Sequence, residues 1–480
     1  MSHDDDNDRF TGSSGALDNH LPDTQIAEWL SQAMACHGRG NLIEAQALYE
    51  RILAHRPNYP EVLNFLGILQ QQRGQSVQAE LSIRRAIARA PGYAAAYTNL
   101  GNVLLIQGRH EDAIAAYRQA IRFKPDEVEA CANLGAVLRG LGRLSEALDA
   151  YQQASAWRPA DANIHYHLGL ILADLNRLEE AVQAHRSALQ HDAAHLGAVR
   201  ALGTLLHRLG DNDEARVVFG NAVFQLGDSE EALTLLQYWL RLIPDDPIAR
   251  HRRAAWFGGD DAPERASDGY VTYLFDRYAD CFDEHLVEQL GYQAPAVIGA
   301  RLADILGAPA ARLDVLDAGC GTGLCQPVLR PYARRLTGID LSPRMIEKAR
   351  ERGGYDDLAV AELTAFLNER PGAYDLIASA DTLVYFGVLE PVLAAAARAL
   401  RPGGWLAFTV EQTSADAAPD GYFLNKSGRY SHAAEYLERA LAGAGLELLT
   451  RTDAVLRQEN DQQVVGHVAL ARKPAATVDG

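Results

Sequence analysis

Seven consecutive residues, DAGCGTG from Asp317 to Gly323, place glycines at 319, 321 and 323 directly after a short apolar run. Without Cβ atoms such a stretch can turn sharply and bring peptide N–H groups against a ligand. Seventeen residues past Gly323, in TGIDLSPRM, Asp340 closes the next apolar run. A carboxylate there can accept both hydroxyls of a ribose, so the two features together predict a nucleoside cofactor. The spacing speaks against a dinucleotide. Those sites favour G-x-G-x-x-G/A, whose small sixth residue lets helix and strand close, and here Leu324 holds that place.

A second group of reactive side chains lies in the long connection EQTSADAAPDGYFLNKSGRYSH, residues 411–432. Tyr422 and Phe423 offer an aromatic wall and Arg429 an anion-binding fork. His432, with Tyr430 close by, is the candidate general base, since an imidazole can titrate near neutrality. A competing reading gives Ser431 or His432 the task of capping the next helix. Asp381 and Tyr385 line the same predicted rim. Upstream, in YVTYLFDRYADCFDEHLVEQL, residues 274, 278, 282, 286 and 290 share one helical face. Tyr278 and Phe282 on that face either lid the pocket and touch substrate or, with His285, simply pack on a sheet.

These residues need a scaffold that gathers strand ends. The second half alternates β-type and helical runs, the pattern of a doubly wound parallel sheet. LDVLD, RLTGID, LAVAE, YDLIASA and WLAFTVE predict five strands; LELLTRTDAVLRQ and QVVGHVALAR add a terminal antiparallel hairpin, for seven in all.

The first half repeats itself instead. Gly67, Gly101, Gly135, Gly169 and Gly203 fall 34 residues apart, as do Pro57, Pro91, Pro125 and Pro159, and an alanine series runs from Ala45 to Ala215. Tyr49, Tyr117, Tyr151 and Phe219 each follow one of those alanines by four. Small residues permit close helix approach and each proline stops a helix, so every unit predicts an antiparallel helix pair. Six units fit about residues 26–229, and near the end Gly220, Gly227, Ala232, Leu236 and Pro244 match the same template shifted by half a unit. The pattern stops before FGGDDAPERASD, which has the Gly, Pro and charge of an inter-domain connection.

The 480 residues, 48% of them hydrophobic, are enough for two cores. Lys and Arg total 45 against 63 Asp and Glu, a formal charge of −18, which argues against nucleic acid as a partner. Five scattered cysteines form no metal-finger spacing and predict reduced thiols in a cytoplasmic protein without a metal. No stretch approaches a membrane span, so no membrane partner is expected.

The 34-residue period and its small and aromatic positions resemble the tetratricopeptide repeat, a fold whose concave groove implies a protein or peptide partner. Asp317, the G-x-G-x-G loop and Asp340 followed by SPRM resemble motif I and its sequel in class I methyltransferases. As a set with YVTYLFDRYADCFDEHL and SGRYSHAAEYL they are similar to the predicted bacterial methyltransferases that carry tetratricopeptide repeats. That resemblance implies S-adenosylmethionine as cofactor. It places Glu362 near the adenine amino group with Leu363 beside it, although relatives mostly carry Asp at 362; it sets Met345 on the adenine face, core packing being the other reading, and makes the SADTLVYFG segment from Ser379 motif IV. The expected architecture is an N-terminal all-α tetratricopeptide-repeat solenoid and a C-terminal α/β Rossmann-like seven-stranded methyltransferase domain. The expected boundaries are a disordered acidic tail at 1–25, repeats at 26–250, a linker at 251–267 and the methyltransferase domain at 268–475, opening with lead-in helices at 268–310. The expected activity is methyl transfer to a small molecule or protein; the alternative is a cofactor-binding scaffold or sensor without turnover.

Overall fold

The computed structural model of the protein describes residues 22–258, 262–459 and 462–475. Most of the expected tail lies outside these residues, but its last part is helical, since the first helix is Asp23–Gly38. The chain divides into two compact units at Leu209/Gly210.

Among the described residues the N-terminal unit is a series of eleven helices, from Asp23–Gly38 to Leu196–Arg208, paired as the 34-residue period requires. The repeated glycine has a steric cause. A Cβ on Gly101 would stand 2.5 Å from the Tyr117 ring, and one on Gly135 would stand 2.5 Å from the Tyr151 ring. Each glycine thus faces a large side chain sixteen residues later on the partner helix. Ile83 fills the place opposite Gly67, and His185 the place opposite Gly169. Every second helix stops two residues before the repeated proline, as at His55, Arg89, Phe123 and Trp157, because proline disfavours the helical conformation in the residue before it.

The C-terminal unit begins with three more helices, Asn212–Leu226, Glu230–Leu242 and Pro247–Phe257. The expected division of repeats to 250 and linker from 251 is therefore corrected. Residues through Phe257 are helical, and Ile248, Ala249, His251 and Ala255 of that last helix are buried. Two lead-in helices, Asp268–Tyr278 and Ala294–Leu306, flank a π-helical turn, Glu284–Gln289.

The sheet contains all seven expected strands: β1 (Leu313–Ala318), β2 (Ala333–Asp340), β3 (Asp357–Val360), β4 (Tyr374–Ser379), β5 (Leu400–Gln412), β8 (Glu447–Glu459) and β9 (Gln462–Arg472). Two short strands within the long connection, β6 (Tyr422–Leu424) and β7 (Tyr430–His432), raise the number among the described residues to nine. The order is β3-β2-β1-β4-β5-β7-β6, with β9 also antiparallel to β5 and to β8. Strands β1 to β5 are parallel. Burial on both faces explains their near-continuous apolar runs. Val315, Leu336, Leu376 and Ala407 of the sheet pack with Ile298 and Leu302 of the second lead-in helix. Because the order reverses between β1 and β4, the carboxyl ends of those strands open a crevice, the usual place for a ligand in such sheets.

Candidate active site

The loop after β1 holds Gly319, Gly321 and Gly323 at φ +79°, +52° and +91°, conformations costly for any other residue. Gly319 also packs under Thr382, whose hydroxyl a Cβ would strike, whereas a Cβ on Gly321 would meet only Phe282, at 3.9 Å. The open side of Gly321 therefore faces a cavity. At the end of β2, Asp340 uses one carboxylate oxygen to accept the Gly321 N–H at 2.9 Å and the other to accept the Ser342 N–H at 2.9 Å. Burial raises the Asp340 carboxyl above its usual range, against the N–H groups of Ser342, Gly321 and Leu341, which lower it. Asp317 lies deeper, 1% exposed, with the Tyr355 hydroxyl donating to it at 2.6 Å. Burial pushes its carboxyl up to about 7, with Asp340 adding to the rise and the Tyr355 hydroxyl opposing it.

The cavity, about 530 Å³, is lined by Gly319, Gly321, Asp340, Glu362 and Leu363 at one part and by Asp381, Tyr385 and Arg429 at another. That volume suits a small-molecule site, typically about 300–1,000 Å³. Tyr278, Phe282 and His285 of the lead-in segment also line it. Three carboxylates fasten that segment to the glycine loop and to the helix Pro343–Arg352 with its N-cap Ser342. Asp276 accepts the Ser342 hydroxyl at 2.5 Å, Asp280 pairs with Arg344 at 2.6 Å, and Asp283 accepts the Thr322 hydroxyl at 2.5 Å while pairing with Arg352.

A charged cluster borders the cavity on the β5 side. Arg457 is ion-paired with Asp381 and Glu411, and its Nε meets Glu459 at 2.7 Å. Arg429 meets Glu411 at 2.6 Å and Glu459 at 2.5 Å. Asp381 sits at φ +54°, a strained backbone of the kind concentrated at functional sites. Tyr385 is 9% exposed, and burial raises its hydroxyl above the usual tyrosine range. It stays protonated near neutrality.

Several expected residues stand elsewhere. His432 is 0% exposed inside β7, with Nε2 on the Gly387 carbonyl at 3.1 Å, and burial holds its imidazole down to about 4. It does not line the cavity, so its assignment as general base is corrected. Tyr430 is likewise fully buried, donating its hydroxyl to the Pro263 carbonyl at 2.5 Å. Neither His432 nor Ser431 caps the next helix, whose N-cap is Ala433 without a side-chain bond. Tyr422 packs on Tyr430 and Tyr436 rather than on the cavity. Met345 is 0% exposed in the core beneath its helix, and the apolar lining near Asp340 comes from Ile339, Leu341, Ala361 and Leu363. Ser379 donates to the Ala318 carbonyl at 3.0 Å and ties β4 to β1. Gly323 shapes the turn without lining the cavity. Glu362 lines it, but its carboxylate caps the following helix through the N–H groups of Thr364 at 3.0 Å and Ala365 at 2.6 Å, and pairs with Arg265 at 3.3 Å.

Residues 316–408 match the methyltransferase domain family, and segments 37–102, 101–142, 137–175, 162–195 and 195–247 match tetratricopeptide repeat families. The ubiquinone biosynthesis O-methyltransferase of Chromobacterium violaceum is 33% identical over 187 residues, covering 33% of this chain and 78% of that protein. The malonyl-[acyl-carrier protein] O-methyltransferase of Enterobacter lignolyticus is 33% identical over 195 residues, 38% of this chain and 72% of that protein. Other curated relatives are matched over less of their length. For the ubiquinone biosynthesis O-methyltransferase of Thiobacillus denitrificans, 32% identical over 106 residues, the match covers 21% of this chain and about half of that protein, 46%. Among the described residues no helix is long and apolar enough to cross a membrane. The chain belongs to the class I methyltransferase family, whose members generally use S-adenosylmethionine, and it carries tetratricopeptide repeats in the same polypeptide.

Proposed function

We propose that the protein is a methyltransferase that binds S-adenosylmethionine along Gly319, Gly321 and Asp340 and methylates an acceptor seated toward Asp381, Tyr385 and Arg429. The observation that carries this is the Asp340 carboxylate. Both its oxygens are aimed by backbone N–H groups at the edge of a cavity that also exposes the open side of Gly321. Each oxygen keeps a lone pair for a ribose hydroxyl. When bound, the cofactor supplies an electrophilic methyl on a cationic sulfur, so the chain's task is mainly alignment and exclusion of water.

Leu341, Ala361 and Leu363 give a flat apolar bed for a purine, and the side chain of Glu362 borders it. The fastened lead-in segment, with Phe275, Tyr278 and Phe282, shields the crevice from solvent. Tyr385 donates a hydrogen bond to the acceptor. Where the acceptor must lose a proton, His285 is the cavity imidazole, its Nδ1 held by the Gln289 side chain at 2.9 Å. The repeats recruit a protein or peptide partner along their groove, and the five unpaired thiols suit a reducing cytoplasm.

The test is incubation of the full chain with methyl-labelled cofactor and a cell extract, with Gly319→Val as control. Label transferred by the native protein and lost in the control is the expected result, and the mass of the product distinguishes a polypeptide from a metabolite. Tight cofactor binding with no transfer into any fraction would leave a sensor or scaffold in place of an enzyme.

A further inference from the structure

Two residues that line the cavity belong to helices that precede the lead-in segment. Phe224 belongs to the helix Asn212–Leu226 and Arg252 to the helix Pro247–Phe257. The repeat match runs through residues 195–247, so the helix of Phe224 continues the repeat series and the helix of Arg252 follows directly after it. Nothing in that pattern requires them to border a small-molecule site.

Polar contacts hold them there, some buried and some at the surface. His251 Nε2 meets the Gly428 carbonyl at 2.8 Å, and Trp256 Nε1 donates to the Lys426 carbonyl at 2.8 Å. The Lys426 ammonium pairs with Asp228, and Arg277 donates to the Asn221 side chain at 3.2 Å. Asp246, 0% exposed, caps the helix that carries Arg252 through the N–H groups of Ile248 at 3.0 Å and Ala249 at 3.1 Å, and pairs with Arg216 at 2.8 Å. Loss of the His251 or Asp246 bonds would leave buried groups unsatisfied, so the helix Pro247–Phe257 is a fixed part of the unit.

The charges are distributed unevenly around the cavity. Four guanidiniums line it. Arg265 is paired with Glu362 and Asp268, Arg429 with Glu411 and Glu459, and Arg457 with Asp381, Glu411 and Glu459. Arg252 differs. Among the described residues it pairs with no carboxylate, and its contact is the Trp256 ring on its own helix, 5.3 Å from the ring centre. In a chain of net charge −18, a cavity-lining guanidinium left without a carboxylate is a binding group for an anion, and its planar fork matches a carboxylate with two N–H bonds. The same cavity is also lined by apolar and aromatic side chains, among them Phe224, which is 71% exposed, Leu274, Tyr278 and Phe282.

We propose that Arg252 and Phe224 form the acceptor-selecting wall of the site, and that the acceptor is a small molecule with an aromatic or apolar body and a carboxylate held by Arg252. The helices that end and follow the repeat series are thereby part of the substrate site. This rests on the reading of the cavity as a methyltransferase site, with cofactor and acceptor side by side.

The test uses the full chain saturated with S-adenosylhomocysteine and a panel of aromatic acids, benzoate, 4-hydroxybenzoate and cinnamate, each beside its neutral primary amide, with dissociation constants measured by calorimetry or ligand-observed NMR. The native protein binds the acids at least about tenfold more tightly than the amides, the scale of a charge-assisted hydrogen bond. Arg252→Gln abolishes the preference, Arg252→Lys keeps part of it, and both bind S-adenosylhomocysteine as the native chain does. An absent acid preference in the native protein, or one that persists in Arg252→Gln, overturns the proposal. Failure of the native chain to bind S-adenosylhomocysteine is a separate outcome, which removes the cofactor reading and this proposal with it.

Discussion

His251 and Gly428, 177 residues apart in sequence, are joined by a buried hydrogen bond of 2.8 Å between the imidazole Nε2 and the carbonyl. The His251 ring also lies 4.0 Å, centre to centre, from that of Tyr270. The bond fastens the helix Pro247–Phe257, which follows the repeats, to the connection between β5 and the last helix of the sheet domain.

A fragment of residues 210–480 therefore folds and binds cofactor, whereas one of residues 265–480 loses the partners of Tyr270, Lys426 and Gly428. Removing those contacts costs at least about 2 kcal/mol, from two or more hydrogen bonds and the apolar surface uncovered. Urea unfolding of the two fragments measures the difference. Equal stabilities would mean that the three helices are passengers.

Burial keeps the His432 imidazole neutral in the fold, its value lowered from 6.5 to about 4. In the unfolded chain the ring takes up a proton below its ordinary value, so stability is complete above pH 6.5 and falls as the pH drops toward 4. The loss is about 1.4 kcal/mol per pH unit, or about 2 kcal/mol by pH 5. His432→Asn should lose that much less on going from pH 7.5 to pH 5, measured by denaturant unfolding, and should still bind cofactor. His185 in the repeats is also held down to about 4 by burial and contributes equally to both proteins. An unchanged pH dependence in the variant, or lost cofactor binding in a folded one, would contradict the placement of His432.

The lead-in segment is held over the glycine loop by Asp283, which accepts the Thr322 hydroxyl at 2.5 Å and pairs with Arg352. Asp283→Ala frees that edge. With about 0.5–1.5 kcal/mol for each hydrogen bond, cofactor release should quicken by about fivefold, as stopped-flow displacement would show. An unaltered release rate would mean that the segment packs without gating.

The residues that were legible in the sequence are those whose backbone or period imposes a type. Gly319 and Gly321 must be glycine for the turn after β1, Asp340 ends a strand whose neighbours fix its place, and repeat glycines such as Gly67, Gly101, Gly135 and Gly169 face large side chains sixteen residues on. What was not legible depends on contacts across long separations. Arg457 reads as one residue among many in a long strand, yet β8 carries it to Asp381 and Glu411. His432 has the side chain of a base in a loop of suggestive length, but parallel pairing of Gln412 with His432 draws it into the sheet and away from the cavity. Arg252 was hidden because the sequence reading placed it in the linker, whereas it lies on the helix Pro247–Phe257. The glutamate at 362 is explained locally: its longer side chain reaches back to cap the helix it precedes.

The central claim is that Asp340 anchors the nucleoside of the cofactor. Asp340→Ala removes charge-assisted hydrogen bonds worth roughly 1.5–3 kcal/mol each, so calorimetric titration of S-adenosylmethionine into the folded variant should show affinity reduced at least about tenfold, with Asp340→Asn in between. Native affinity in a folded Asp340→Ala protein would contradict the account.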